Sequence, residues 1–249
     1  MKINGNTILI TGGATGIGFA LAEAFVREGN EVIICGRREQ KLKEAKIKLP
    51  QLHTRACDLS KGKEREALYN WVKSNFKDLN ILVNNAGIQR MIDFKKGILN
   101  LSEGENEIDI NLTAPIHLSA YFIPDLIRQK ESAIINISSG LAFVPIAVVP
   151  VYCATKAAMH SFSLSIRHQL KETSIKVFEV IPPTVDTELD KGARDERGQK
   201  DKGIPPSEVA KPTLEALEKD EYEIAISMAK NWRMGARNNQ KKIFQGINR

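Results

Sequence analysis

A doubly wound α/β fold, one parallel sheet of about seven strands with helices on both faces, is predicted from three observations. Short apolar, β-branched runs alternate with helical patterns from Thr7 to about Ile226. A glycine-rich turn joins the first such run to the first helix. The chain has 249 residues, the size of one such domain with a large core, and its composition shows no break that would mark a second folded unit. We therefore expect a single Rossmann-like domain over residues 1–229, followed by a basic C-terminal tail over 230–249.

Taken in order, Thr7-Ile8-Leu9-Ile10 is a buried strand, and Phe19 to Glu28 is a helix with an apolar stripe of Leu21, Ala22, Phe25 and Val26. Gly29-Asn30 stops that helix. Between strand and helix lies Thr11-Gly12-Gly13-Ala14-Thr15-Gly16-Ile17-Gly18. Glycines there allow a sharp turn and close approach of a ligand, and the helix start offers free N–H groups and a positive dipole end to a diphosphate. The spacing is Gly-x-x-x-Gly-x-Gly, not the general dinucleotide fingerprint Gly-x-Gly-x-x-Gly; a tight turn without a ligand is the plain alternative.

The second strand, Glu31 to Cys35, ends at Gly36-Arg37-Arg38. In a dinucleotide fold an acid at this strand end takes the ribose hydroxyls, whereas an arginine accommodates a 2′-phosphate. The acid is missing and two arginines follow, so NADP(H) is favoured over NAD(H). Against this, the arginines also open a charged helix with pairs Glu39–Lys43 and Glu44–Lys48 at helical spacing. Further strands are expected near His53, Ile81, Ala133, Lys176 and Glu223, with a helix from about Glu103 to Gln129.

The strongest chemical signal is Ser139, then Tyr152, then Lys156. A tyrosine four residues before a lysine shares a helix face with it, and the ammonium lowers a phenol pKa that is otherwise near ~10. A serine upstream can hydrogen-bond the same substrate oxygen, completing a set suited to proton transfer at an alcohol or carbonyl.

Together these residues resemble the short-chain dehydrogenase/reductase family. Thr11 to Gly18 matches its cofactor loop, Asp58 its adenine-side acid, Asn84-Asn85-Ala86-Gly87 the sequence after its fourth strand, and Asn111 its helix asparagine. Ser139, Tyr152 and Lys156 match its catalytic set, and Pro182 to Thr187 its segment beside the nicotinamide. Within the family, Ile33 to Arg37, Ile92 to Gly97 and Pro150 to Lys156 are similar to the DltE-like oxidoreductases.

The resemblance implies hydride transfer between nicotinamide and a carbonyl carbon. Tyr152 would be the general acid/base, Lys156 would hold the ribose and keep Tyr152 titratable, Ser139 would polarise the carbonyl, and Asn111 would anchor a water. It implies a cofactor site of Gly12, Thr15, Gly16, Ile17, Gly18, Arg37, Arg38, Asp58, Leu59, Asn85, Ala86, Gly87, Tyr152, Lys156, Pro182, Val185 and Thr187. Candidate substrate contacts are Gln89, Leu141, Phe143, Val149, Pro183 and Leu189, mostly apolar, which suits a hydrophobic carbonyl compound. A homodimer or homotetramer follows from the same resemblance. Position 183 is proline where the family usually has glycine, so Ile181 and Val185 should form a stiffer wall. A non-catalytic nucleotide-binding regulatory or interaction protein on the same fold is the rival reading.

Composition bounds the rest. Cys35, Cys57 and Cys153 lie in or beside apolar segments and read as buried thiols of a cytoplasmic protein. The histidines His53, His117, His160 and His168 have no metal-ligand spacing, so no metal is expected. Residues 1–5 run directly into the first strand without a leader pattern, and polar residues and prolines between Ala133 and Val151 argue against a membrane span. The net charge of +6 is carried by Lys230, Arg233, Arg237, Lys241, Lys242 and Arg249; the rest of the chain is balanced. With Trp232, Met234, Ile243, Phe244 and Ile247 these form a basic, partly apolar segment suited to an anionic membrane surface, or a solvated terminus. No pattern for nucleic-acid recognition accompanies it. The glycine-bearing, charged stretch Asp190 to Gly203 reads as a lid over the substrate or as a disordered loop.

Overall fold

The computed structural model describes residues 1–189, 198 and 203–247. Seven strands form one parallel sheet: β1 (Thr7–Thr11), β2 (Glu31–Gly36), β3 (His53–Ala56), β4 (Leu79–Asn84), β5 (Ser132–Ile137), β6 (Ile175–Ile181) and β7 (Glu223–Ala225), in the order β3-β2-β1-β4-β5-β6-β7. The helices are α1 (Gly16–Arg27), α2 (Glu39–Lys48), α3 (Gly62–Asn75), α4 (Ile98–Ser102), α5 (Ala114–Leu126), α6 (Pro150–Gln169), α7 (Ser207–Glu218) and α8 (Met228–Ile247). All seven expected strand positions fall within observed strands.

The two-residue period of the strands divides the core into two layers. Ile8, Ile10, Val32, Ile34, Val83, Ile135 and Val180 point to one face, where Leu21, Ala22 and Phe25 of α1 and Val209 and Leu217 of α7 cover them. Leu9, Ile33, Leu82, Ile134 and Val177 point to the other, under Leu68 and Val72 of α3, Leu118 and Phe122 of α5, and Ile166 of α6. Strands covered on both faces have no solvent side to leave polar, which is why they read as near-continuous apolar runs.

The order reverses between β1 and β4, which start chains of strands running in opposite directions across the sheet. At such a switch point the carboxyl ends of neighbouring strands open a crevice.

Two expected elements differ. The long helix anticipated from Glu103 to Gln129 is interrupted: Glu103 caps α4, Gly104 takes φ +74°, and Asp109–Thr113 form a π-helical turn before α5. Arg90 causes part of the break, its guanidinium donating to the carbonyls of Asn100, Leu101 and Glu105. On α2 the ion pair formed is Lys41–Glu44, at 3.1 Å.

The boundary expected at residue 229 falls inside α8. Ala229 is fully buried, Trp232 packs on Gly140, and Arg233 pairs with Glu223. The side chains of Arg237, Lys241, Lys242 and Arg249, and most of the stretch Asp190 to Gly203 with its expected lid, lie outside the described residues. No helix among the described residues is long and apolar enough to cross a membrane.

Candidate active site

The crevice at the switch point is a cavity of about 680 Å³. One end is built by the β1–α1 turn. Gly12 N donates to Cys35 O at 2.8 Å, bringing the turn against the end of β2. Thr11 Oγ1 accepts from Asn85 N and Ala86 N, and Asn85 Nδ2 donates to Thr11 O at 2.9 Å and Gly12 O at 3.2 Å, so the segment after β4 buttresses the turn. Gly16 takes φ +56°, a region that favours glycine, and a Cβ on Gly18 would lie 2.4 Å from Gly12 O. Gly18 thus serves packing behind the turn, while Gly12, Thr15, Gly16 and Ile17 line the cavity.

This end fits a dinucleotide. Thr15, the N-cap of α1, makes no side-chain hydrogen bond to the first helical turn, and that turn carries no acid. Its N–H groups therefore suit a diphosphate. A Cβ on Gly36 would meet nothing within 4 Å, leaving room at the end of β2 for a ribose. Arg37, Arg38, Asp58, Leu59, Ala86 and Gly87 line the same end. Burial pushes the Asp58 carboxyl up, but hydrogen bonds from Ser60 and Lys61 outweigh it and hold the group below its ordinary range.

Both arginines already hold carboxyls across the cavity mouth. Arg37 pairs with Glu105, and Arg38 with Glu188 at 2.7 Å, with a second contact to Thr15 Oγ1 at 3.3 Å. The bond from Arg38 holds Glu188 below its ordinary pKa.

At the other end, β5 brings Ser139 and α6 brings Tyr152 and Lys156, all three buried at the cavity wall. Lys156 Nζ stands 5.6 Å from the centroid of the Tyr152 ring and donates to Ile137 O at 2.8 Å. Burial pushes the Lys156 ammonium down to about 8, against the attraction of Glu179. Ser139 Oγ accepts from Leu141 N at 3.1 Å, which leaves its own proton for another acceptor.

Asn111 sits in the π-helical turn, clasping Ile88 by two bonds of 2.8 Å to its N–H and carbonyl. A Cβ on Gly87 would lie 3.3 Å from Asn111 Oδ1 and 3.7 Å from Lys156 Nζ, so these two side chains flank one backbone point. π-turns are rare and recur at functional sites.

Among the remaining expected contacts, Gln89, Leu141, Pro182, Pro183, Val185, Thr187 and Leu189 line the cavity. Phe143 and Val149 do not: Phe143 packs edge-on against His160, and Val149 is fully buried with Tyr152 and Cys153. Ile181 is buried in β6, leaving Val185 to form the wall. Met228, Trp232 and Ile146 also line the cavity. Trp232 comes from the segment read as a tail, where its apolar character was the available signal, and Met228 from just before it. Among the described residues no cluster of three or more His, Cys, Asp or Glu side chains is arranged to hold a metal ion.

A model of the short chain dehydrogenases matches residues 6–198. The chain belongs to the short-chain dehydrogenase family. A relative from Bacillus subtilis (strain 168), described as the uncharacterized oxidoreductase DltE, is 50% identical over 248 residues, covering 100% of this chain and 98% of that one, which supports the DltE-like branch within the family. Two solved short-chain dehydrogenases share the fold. One, from Burkholderia cenocepacia in complex with NADP, is 25% identical with TM-score 0.81 and covers 99% of both chains. The other, from Burkholderia phymatum in complex with NAD, is 20% identical with TM-score 0.86, covering 100% of this chain and 97% of that one. This short-chain dehydrogenase is therefore an NAD(P)-dependent oxidoreductase.

Proposed function

We propose that the protein is an NADP(H)-preferring oxidoreductase acting on a carbonyl or alcohol, with Tyr152 as general acid/base. The observation that carries this reading is the convergence on one cavity of Ser139, Tyr152 and Lys156 at one end and the glycine turn with Arg37 and Arg38 at the other. The same convergence, with Asn111 beside it, favours an enzyme over a non-catalytic nucleotide-binding protein.

The nicotinamide, when bound, supplies or accepts the hydride. The chain's own residues manage the oxygen. Tyr152 gives its proton to the developing alkoxide in reduction and takes it back in oxidation. The Lys156 charge beside the ring stabilises the phenolate and brings its pKa toward neutrality, and Lys156 also holds ribose hydroxyls. Ser139, its lone pair engaged by Leu141 N–H, points its proton at the substrate oxygen. Asn111 holds Ile88 in place, and with it the neighbouring Gly87 backbone that Lys156 flanks. Leu141, Ile146, Val185, Leu189, Met228 and Trp232 make the substrate end largely apolar, which suits a hydrophobic carbonyl compound. Arg37 and Arg38 receive a 2′-phosphate at the nucleotide end.

Fluorescence titration with NADPH and NADH tests the cofactor reading. Tighter binding of NADPH, with the preference lost in Arg37→Ala or Arg38→Ala, is expected; equal binding, or preference for NADH, overturns it. A carbonyl and alcohol screen with the preferred cofactor then tests turnover.

A further inference from the structure

The residues used so far leave unexplained a carboxyl buried directly behind them. Glu179 lies on β6 and is fully buried. Burying an ionisable group is costly unless it is hydrogen-bonded and paired, so its partners define what it is for. Ser138 Oγ donates to Glu179 Oε1 at 2.5 Å. Glu179 Oε2 lies 2.7 Å from His160 Nδ1.

Those partners belong to the two elements whose spacing matters. Ser138 immediately precedes Ser139 at the end of β5, and its N–H donates to Val180 O at 2.9 Å. His160 lies on α6 one turn beyond Lys156 and two beyond Tyr152, on the same face. Phe143, from the segment after Ser139, packs edge-on against the His160 ring with centroids 4.6 Å apart. One carboxyl thus ties the strand end bearing Ser139 to the helix bearing Tyr152 and Lys156.

The charged and titratable groups facing Glu179 come from each neighbouring element. From α6 they are His160, Lys156 and Arg167. On β7, Glu223 is its register partner and is held by Arg167 at 3.1 Å and by Arg233 of α8; Tyr222 accepts from Glu179 N at 2.8 Å and stacks obliquely on Phe178.

We propose that Glu179 is a positioning residue which, through Ser138 and His160, fixes Ser139 relative to Tyr152 and supplies a buried counter-charge to Lys156. This rests on the oxidoreductase reading above.

Glu179→Gln keeps the shape and removes the charge. Losing a negative charge disfavours every protonated form of the Lys156–Tyr152 pair, so the pair releases its first proton at lower pH. Reduction, which consumes that proton, should show its alkaline limb displaced by about half a pH unit or more toward acid, with kcat lowered about tenfold or more by misplacement. KM for NADPH at neutral pH stays near the wild-type value. His160→Gln, which retains an amide donor, keeps most of kcat; His160→Phe, which retains a ring without a donor, loses it. NADPH affinity measured against pH gives a readout without substrate: its alkaline fall should move to lower pH in Glu179→Gln.

A purely structural role would lower the melting temperature but leave both pH profiles unmoved, and that result overturns the inference. If Glu179→Gln does not fold, equal kcat in His160→Gln and His160→Phe overturns it instead. Wild-type turnover in Tyr152→Phe would refute the oxidoreductase reading itself. An inactive Tyr152→Phe beside an unaltered Glu179→Gln refutes the role of Glu179 alone.

Discussion

Lys156 occupies an environment that disfavours its charge, and the charge is what the proposed chemistry needs. Its ammonium is pushed down by burial from 10.5 to about 8. For a base with a lowered folded-state pKa, the unfolded chain binds more protons between these two values, so stability rises with pH there. The penalty is fully present below about 8 and is relieved as pH climbs to 10.5. The stability difference between wild type and Lys156→Met should therefore change across that window, in favour of wild type at the alkaline end, by up to about 3 kcal/mol; denaturant unfolding at several pH values measures it, and a flat difference contradicts it. Tyr152→Phe removes only a hydroxyl. It should fold and bind NADPH as wild type does, while turnover falls by about 10²–10⁴-fold, as steady-state kinetics would register.

At the scale of elements, the contact between α8 and the turn after β5 joins a terminal helix to the reaction site. A Cβ on Gly140 would lie 2.6 Å from the Trp232 ring, so Gly140→Ala must displace that ring. We expect destabilisation of about 1–3 kcal/mol from overpacking, seen in thermal unfolding, and a raised KM for the carbonyl substrate without loss of NADPH affinity. Trp232→Ala should raise the same KM by enlarging the cavity. Removal of residues 230–249 would delete Trp232 as well as the basic charges, so surface attraction is better tested by neutralising Lys241 and Lys242. The central strands were legible because a doubly covered strand is largely apolar, and the glycine turn because its sequence also dictates its local geometry. The break before α5 was less so: Gly104 is a local signal, but Arg90 acts from outside the helix it interrupts. Phe143 and Val149 lie close in sequence to Ser139 and Tyr152, yet Phe143 packs on His160 and Val149 is buried in a small apolar cluster with Tyr152 and Cys153, contacts that the sequence does not display.

Across the whole molecule, the three cysteines sit within the core and beside the site, and all are free and buried. Burial and the neighbouring Cys57 push the Cys35 thiol up, burial and nearby acids push Cys57 up to about 12, and burial raises Cys153. Thiol reagents should therefore react at the rate at which the fold opens, and saturating NADPH should slow all three together; a cysteine modified rapidly in the folded protein would contradict this. What sequence alone did not reveal at this scale is pairing between distant segments. Arg37 and Arg38 were read for their match to a phosphate, yet their partners Glu105 and Glu188 come from segments far along the chain. That pairing changes what cofactor binding is. On the proposed reading, an incoming 2′-phosphate would not find bare cations; it would exchange with resident carboxylates, which return to water. Each half-exposed pair is worth at most about 1 kcal/mol, so the exchange favours the doubly charged phosphate, whereas NADH brings nothing to trade. Neutralising the resident anion with Glu188→Gln should then tighten NADPH more than NADH. The wild-type protein should also show a weaker salt dependence for NADPH than a tally of its arginines would suggest, because one anion leaves as the other arrives.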